Sequence, residues 1–282
     1  MSVYYMNGAF RPLEEVSLPL TDLVIQRGVG VFESVKIIGR KVLAITAHMK
    51  RLEESALGAG IKIGGTGVID EITRALREGS LRDDCPGGGE CAVAKAYITG
   101  GDAIDRGFFT APRFFVIFSQ MDPIFPEGCE NGVALQPTAE RRPYPLVKSI
   151  NYLFGLMQTA GLDDMLECLY CPDGYATETL RSSFFVVLGG RLVTAPEGTV
   201  LKGVTRDIVI ELAKADGIAV EERRPEVSEF ALAEEAFITN SLYGVIPVIR
   251  IGGTAIGNGK PGPVSARLLE LYDANIEKWL DR

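Results

Sequence analysis

Apolar and polar positions alternate with a period of two along several short runs of this 282-residue chain, the mark of half-buried strands. The first run, VYYM, is followed by Asn7-Gly8 and AFRP. A two-residue turn needs positive φ, which Asn-Gly supplies at low cost, so the pattern predicts a hairpin. GVFESVKII, Gly39-Arg40 and KVLAI predict a second. AHMKRLEESAL then switches to helical spacing and ends at Gly58 and Gly60. CAVAKAYIT and RFFVIFS are rich in β-branched and aromatic residues and read as strands. Before them, DDCPGGGE is a glycine-rich loop without the Lys-Ser/Thr ending of a P-loop.

QMDPIFPEGCENG, residues 120–132, breaks both periods and reads as a linker. The expected organisation is an α+β chain with an N-terminal α/β domain over 1–119 and a C-terminal domain over 133–282. The second half predicts a strand at VALQP and an interior strand end at PLVKSI. A helix over about 151–162 and a strand at MLECLY follow. FFVVL-GG-RLVTA is a further hairpin, and TRDIVIELAKADG is an amphipathic helix ending at Gly217. EAFIT and GVIPVIRI are strands, and a last helix over 265–279 packs through Leu268, Leu269, Leu271, Tyr272 and Ile276. No repeat or low-complexity tract occurs.

Composition narrows the function. A formal charge of −8 and scattered basic residues argue against nucleic acid as the main partner. No apolar run approaches membrane-spanning length, and MSVYYMNGAF lacks a basic-then-apolar leader. Five cysteines, an odd number, argue against a full disulfide framework, and a reducing cytoplasm is expected. Cys168 and Cys171 form a CxxC, but no second pair exists and His48 is the only histidine, so no metal site is expected.

Three signals bear on chemistry. Lys148 sits among Pro145, Leu146, Val147 and Ile150. A lysine there snorkels to the surface, or it is buried and must be paired or lose its proton. Glu178, in DGYATETLRSSFF, falls at a strand end before a polar loop, where a solvated carboxylate is the bland alternative. In VLKGVTRDIVIELA, Gly203 leads into a helix beginning near Thr205, whose free amides and hydroxyl suit a phosphate. Asn240-Ser241 offers a second polar turn for an anion. A lysine, an acid and a phosphate cup are together what pyridoxal phosphate requires.

With these motifs the chain resembles the fold type IV pyridoxal-phosphate enzymes, the class IV aminotransferases, over nearly its whole length. The resemblance implies a small N-terminal α/β domain, a larger pseudo-barrel C-terminal domain, and a homodimer whose partner loop closes each active site. KSIN resembles the family's lysine segment, which implies that Lys148 carries the Schiff base and is catalytic. Glu178 then pairs with the ring nitrogen. LKGVTR implies that Leu201 packs on the ring and that Gly203, Val204 and Thr205 bind the phosphate, with Asn240 and Ser241 as its second turn. HMKRL implies a phosphate-facing Arg51, and GVGVFESVK places Phe32 and Lys36 near the substrate. Arg27 and Arg106 fall where a carboxylate pocket is implied, Arg27 being favoured.

The departures from the family pattern touch mostly the substrate set. Ser183 stands for an asparagine, Val29 for a polar residue, Ser241 for a threonine, and TGG at 99–101 replaces TRG. K-S-I-N-Y differs from the K-x-S-G-N-Y of branched-chain enzymes and implies a D-amino acid transaminase working by ping-pong kinetics. Aminodeoxychorismate lyase is the alternative, through the N-S-L turn, followed by branched-chain or (R)-amine transaminases. A non-catalytic pyridoxal-phosphate-binding protein would not need both Lys148 and Glu178.

Overall fold

The computed structural model describes residues 2–86, 91–121 and 129–281. The chain forms two compact units. One comprises Met1–Asp122, Val147–Asn151 and Glu277–Arg282, and the other Pro123–Leu146 and Tyr152–Ile276. Most of the linker expected at 120–132, and the GGGE end of the glycine-rich loop, lie outside the described residues.

In the first unit, β1 (Val3–Met6) and β2 (Ala9–Arg11) form the expected hairpin, with Asn7 and Gly8 at φ 53° and 82°. A short helix not foreseen from the pattern, α1 (Leu23–Arg27), starts where the Asp22 carboxylate accepts the Val24 amide and ends at Gly28, φ 65°. β3 (Gly30–Ile38) and β4 (Lys41–Val42) make the second hairpin. Two helices, α2 (Ile45–Gly58) and α3 (Val68–Leu81), precede β5 (Cys91–Thr99). The pattern reading passes over α3, although Val68, Ile72, Ala75, Leu76 and Gly79 line its buried face at helical spacing. β6 (Ile104–Asp105) and β7 (Phe108–Phe109) form a small separate hairpin before β8 (Phe114–Gln120).

The six-stranded antiparallel sheet has the order β2-β1-β8-β5-β3-β4. One face, with Val31, Val35, Ile37, Ala94, Ala96 and Phe118, forms a core with the apolar sides of α2 and α3. Because side chains alternate, Phe32, Ser34 and Lys36 point to the opposite, half-exposed face. The expected strand end at Lys148 is instead an irregular segment bridged to β3 only between Ser149 and Val31.

The second unit contains β9 (Val133–Thr138), α4 (Leu153–Met157), β10 (Glu167–Tyr170), β11 (Ser183–Leu188) and β12 (Arg191–Thr194). Then come α5 (Val204–Ala215), β13 (Val220–Glu222), β14 (Glu235–Asn240), β15 (Gly244–Ile251), β16 (Thr254–Ala255) and α6 (Pro263–Asn275). Its curled, mixed sheet runs β10-β9-β15-β14-β11-β12-β13, with β16 on β15. Both faces are covered. Phe184, Val186, Ile238 and Val248 lie in one core, while Phe185, Val187 and Phe237 lie in another with Val209, Ala213 and Leu268. This explains the nearly unbroken apolar run of β11. The helix expected over 151–162 shrinks to α4, because the amides of Gln158 and Thr159 bond three residues back, to Gly155 and Leu156, and Gly161 turns at φ 81°. The last helix likewise ends at Asn275, and a tighter turn covers Ile276–Trp279.

A Cβ at Gly79 would stand 2.2 Å from Cζ of Phe118. Alanine is the better helix former by ~1 kcal/mol, but overpacking a closed core costs about 1–3 kcal/mol. Gly79→Ala is therefore expected to lower the urea midpoint at unchanged slope, with a net loss of about 1 kcal/mol.

Candidate functional site

The Lys148 segment is held by its backbone. Its carbonyl accepts the Phe32 amide at 3.0 Å, the Ile150 amide donates to Gly30 O at 3.1 Å, and its own amide donates to Ser55 Oγ on α2 at 3.1 Å. Val147 packs beside Gly58 of α2, where a Cβ would meet its methyl at 3.0 Å. The Lys148 side chain is buried, 9% of the residue being exposed, and Nζ lies 5.0 Å from the centre of the Phe32 ring. That cation–ring contact offsets part of the cost of taking an ammonium out of water.

Behind the same strand lies a buried charged cluster. Glu33 falls on the inward register of β3 and is fully buried. Arg51 donates to it through Nε at 2.6 Å and Nη2 at 2.7 Å, and Nδ1 of His48 stands 2.8 Å from one of its oxygens. Burial alone would raise the Glu33 pKa. The Arg51 charge and hydrogen bonds outweigh it, with help from His48, and hold the carboxyl well below the usual range. Burial is the main cause that pushes the His48 pKa down, aided by the charges of Arg51 and Lys148 against the pull of Glu33. A neutral imidazole donating from Nδ1 fits this geometry.

Phe32 stacks on Tyr97 at 5.6 Å, and Lys36 follows on the same face, half-buried. Arg27 closes α1 and Arg106 sits at φ 48° in the β6–β7 turn. Both are exposed, and neither side chain makes a hydrogen bond or ion pair among the described residues. The two loops leave the end of the sheet where Gly30 pairs with Thr99.

In the second unit Glu178 is buried, not a solvated strand end. Arg142 donates to it from Nη1 at 2.6 Å, and the Leu201 amide reaches both of its oxygens at 3.3 Å. Gly203 caps α5, and Val204 and Thr205 form its first turn. The Thr205 and Ser241 hydroxyls are 3.4 Å apart. Asn240 Oδ1 accepts the amides of Leu242 and Tyr243, which shapes the second turn. Its Nδ2 donates to Ser182 Oγ at 3.2 Å, and that hydroxyl donates to the fully buried Glu167 at 3.1 Å. A Cβ at Gly203 would lie 2.4 Å from Ser183 Oγ, so only glycine lets the backbone come this close to the hydroxyl. Amide and hydroxyl donors at a helix start suit a phosphate, and a buried, ion-paired carboxylate suits a protonated ring nitrogen, so these residues fit pyridoxal phosphate.

Glu33, Arg142, Glu167 and Ser182 are residues that sequence reasoning passes over. Glu33 carries a readable signal, since an acid between Val31 and Val35 on an inward register demands a partner, and His48 and Arg51 share one helix face. Arg142 lies in an irregular proline-containing loop, where no periodicity indicates direction.

The cluster predicts a pH dependence. The depressed Glu33 carboxyl contributes stability that is present above the ordinary carboxylate pKa and lost as pH falls through that range. His48 is held neutral, so unfolding takes up a proton once pH falls below about 6.5. Melting temperature measured by circular dichroism should fall in two acid phases, and His48→Gln should remove only the upper one. Glu33→Gln leaves the Arg51 charge buried without its partner and should cost about 3–5 kcal/mol at pH 7.

Comparison with known proteins identifies the family. The family model for class IV amino-transferases matches residues 30–251. The chain is 31% identical to the "Putative branched-chain-amino-acid aminotransferase" of Methanocaldococcus jannaschii over 98% of this chain and 96% of that protein. It is 29% identical to the D-alanine aminotransferase of Bacillus licheniformis, over 92% of each. The structure of a putative branched-chain amino acid aminotransferase from Thermotoga maritima superposes with a TM-score of 0.79 at 26% identity, covering 98% of this chain and 96% of that one. The chain belongs to the class IV aminotransferases, fold type IV enzymes that depend on pyridoxal phosphate.

Proposed function

We propose that this protein moves the amino group of a D-amino acid to a 2-oxo acid by a ping-pong mechanism. The observation that carries this reading is the pair of exposed guanidiniums, Arg27 and Arg106, without protein partners among the described residues. A substrate carboxylate needs charge-assisted, preferably bidentate, donors, and glycine stands at position 100. The KSIN spacing and the D-alanine aminotransferase relative support the D-configuration.

Pyridoxal phosphate, when bound, supplies the electron sink for charge developing at the substrate's α-carbon. Lys148 would carry the covalent attachment and would then move the α-proton. Glu178, braced by Arg142 and the Leu201 amide, would keep the ring nitrogen protonated, with Leu201 beside the ring. Gly203, Val204, Thr205, Asn240 and Ser241 would hold the phosphate. Arg51, charge-paired with Glu33, would offer the phosphate the part of its guanidinium that the Glu33 fork leaves over.

The reading includes a cytoplasmic homodimer. Leu153, Leu156 and Met157 on α4 are exposed, as are Tyr144 and Leu146, and a second copy of the chain is the partner such a surface suits. A second reading, transamination of branched-chain L-amino acids, is favoured by the Methanocaldococcus relative. Single-turnover half-reactions separate the two: D-alanine should react faster than L-leucine, and the reverse order establishes the second reading.

Borohydride reduction and peptide mapping should label Lys148, and Lys148→Ala should lose the adduct; a label elsewhere overturns the assignment. Glu178→Gln should keep the cofactor yet slow the half-reaction about 10²-fold, the scale of losing one preorganised electrostatic contact. Replacing the responsible arginine, Arg27→Ala or Arg106→Ala, should cost about 2–5 kcal/mol in kcat/KM for D-amino acids. The effect on (R)-phenylethylamine, which has no carboxylate, should be small. Wild-type efficiency in both single variants rejects this pocket.

A further inference from the structure

Buried polar side-chain atoms rarely go without a hydrogen bond, so each one that does asks for a reason. Tyr272 on α6 is such a case in the second unit. Only 1% of the residue is exposed, and its hydroxyl makes no hydrogen bond among the described residues. A hydroxyl in that position has given up its hydration without replacement.

The fold holds the ring in one place. Gly244 opens β15 at φ 71°, and a Cβ there would stand 3.0 Å from Cδ1 and Cε1 of Tyr272. The ring therefore packs on the turn joining β14 to β15, which carries Ser241. Ser241 Oγ lies 3.4 Å from Thr205 Oγ1, in the first turn of α5. Thr205 is itself buried, and its hydroxyl neighbours that of Tyr272. Hydroxyls from α5, from α6 and from the β14–β15 turn thus meet at the start of α5.

Their chemistry gives them an order. A threonine hydroxyl has one hydrogen to donate and two lone pairs that accept. At 3.4 Å, the contact with Ser241 is too long to hold the Thr205 hydrogen firmly. Burial pushes the Tyr272 pKa up, and the Thr205 hydroxyl only partly counters this, so the phenol keeps its proton at neutral pH. When the two align, Tyr272 is the donor and Thr205 the acceptor. The Thr205 hydrogen is then left for an acceptor beyond the helix start, and the bond from Tyr272 polarises it toward an anion.

We propose that Tyr272 is a positioning residue for the cofactor phosphate: its hydroxyl holds the Thr205 oxygen so that the Thr205 hydrogen points to a phosphate oxygen. The inference rests on the phosphate role proposed above for Thr205 and Ser241, and names the residue that orients it. Turning the Thr205 hydrogen toward an anion presents its lone pair to Tyr272. Phosphate binding and the pairing of the buried phenol therefore strengthen each other.

Tyr272→Phe removes one oxygen and keeps the ring packed on Gly244, so the variant is expected to fold. In the full-length protein, its Kd for pyridoxamine 5′-phosphate should rise about five- to tenfold. The affinity for pyridoxamine, which has no phosphate, should stay unchanged. The phosphorus-31 resonance of the bound cofactor should shift. The melting temperature of the cofactor-free protein should not fall, because the hydroxyl removed is unpaired. Thr205→Val should weaken phosphate binding more, and adding Tyr272→Phe to it should cost nothing further, since the tyrosine acts through the threonine. An unchanged Kd in Tyr272→Phe, an equal loss for pyridoxamine, or additive losses in the double variant overturn the proposal. Failure of the phosphate reading looks different. Thr205→Val then leaves the Kd unchanged too, which overturns both, whereas a weakened Thr205→Val beside an unaffected Tyr272→Phe overturns this inference alone.

Discussion

Three hydrogen bonds tie the Lys148 segment to β3 and α2, and the placement of its ammonium depends on them. A lysine held against an aromatic ring in a largely buried setting cannot be placed by hydrophobic packing alone, because packing has no preference for a charge. Backbone pairing with the strand edge at residues 30–32 satisfies the segment's polar groups and fixes its direction. The Ser55 hydroxyl fixes its distance from α2. The helix is in turn bound to the sheet by the Glu33–Arg51 fork, so a buried ion pair on one side of β3 helps set the position of an ammonium on the other.

The second unit uses buried carboxylates in the same structural sense. Glu178 gathers the Arg142 loop and the Leu201 amide, two irregular segments that no ladder of backbone bonds joins. Glu167 takes the Arg181 amide and the Ser182 hydroxyl, and through Ser182 it steadies the Asn240 turn. A carboxylate accepts several bonds at once, which suits it to organising loops whose amides would otherwise be buried without partners. Burial pushes the Glu167 pKa upward despite the neighbouring Arg181 charge. This carboxylate therefore contributes through its hydrogen bonds at a cost in desolvation.

Membership of the class IV aminotransferases settles the cofactor and the reaction class while leaving the substrate to other residues. On the proposed assignment, the motif residues deal with groups that every member shares. Arg27, Arg106 and Lys36, proposed for the substrate, lie on loop ends and on an outward sheet face, where the fold tolerates exchange. Relatives named for branched-chain and for D-alanine substrates, at similar identity to this chain, fit that division of labour.

Local rules determined much of this protein from the sequence alone. Asn7-Gly8, Gly39-Arg40 and Gly189-Gly190 turn where positive φ is required, and all three hairpins form there. The period-two run of β3 sorts Phe32 and Lys36 to one face, and α5 begins at Val204, after the Gly203 cap, where its apolar stripe begins. The foreshortened α4, the irregular Lys148 segment and the Arg142–Glu178 pair were decided only in three dimensions. For the lysine and for the ion pair, a group's conformation is set by partners tens of residues away in sequence. Ser55 lies 93 residues from Lys148, and Arg142 lies 36 from Glu178. A hydrogen bond of that span leaves no periodicity in the chain, and its geometry exists only once the tertiary fold has brought the partners together.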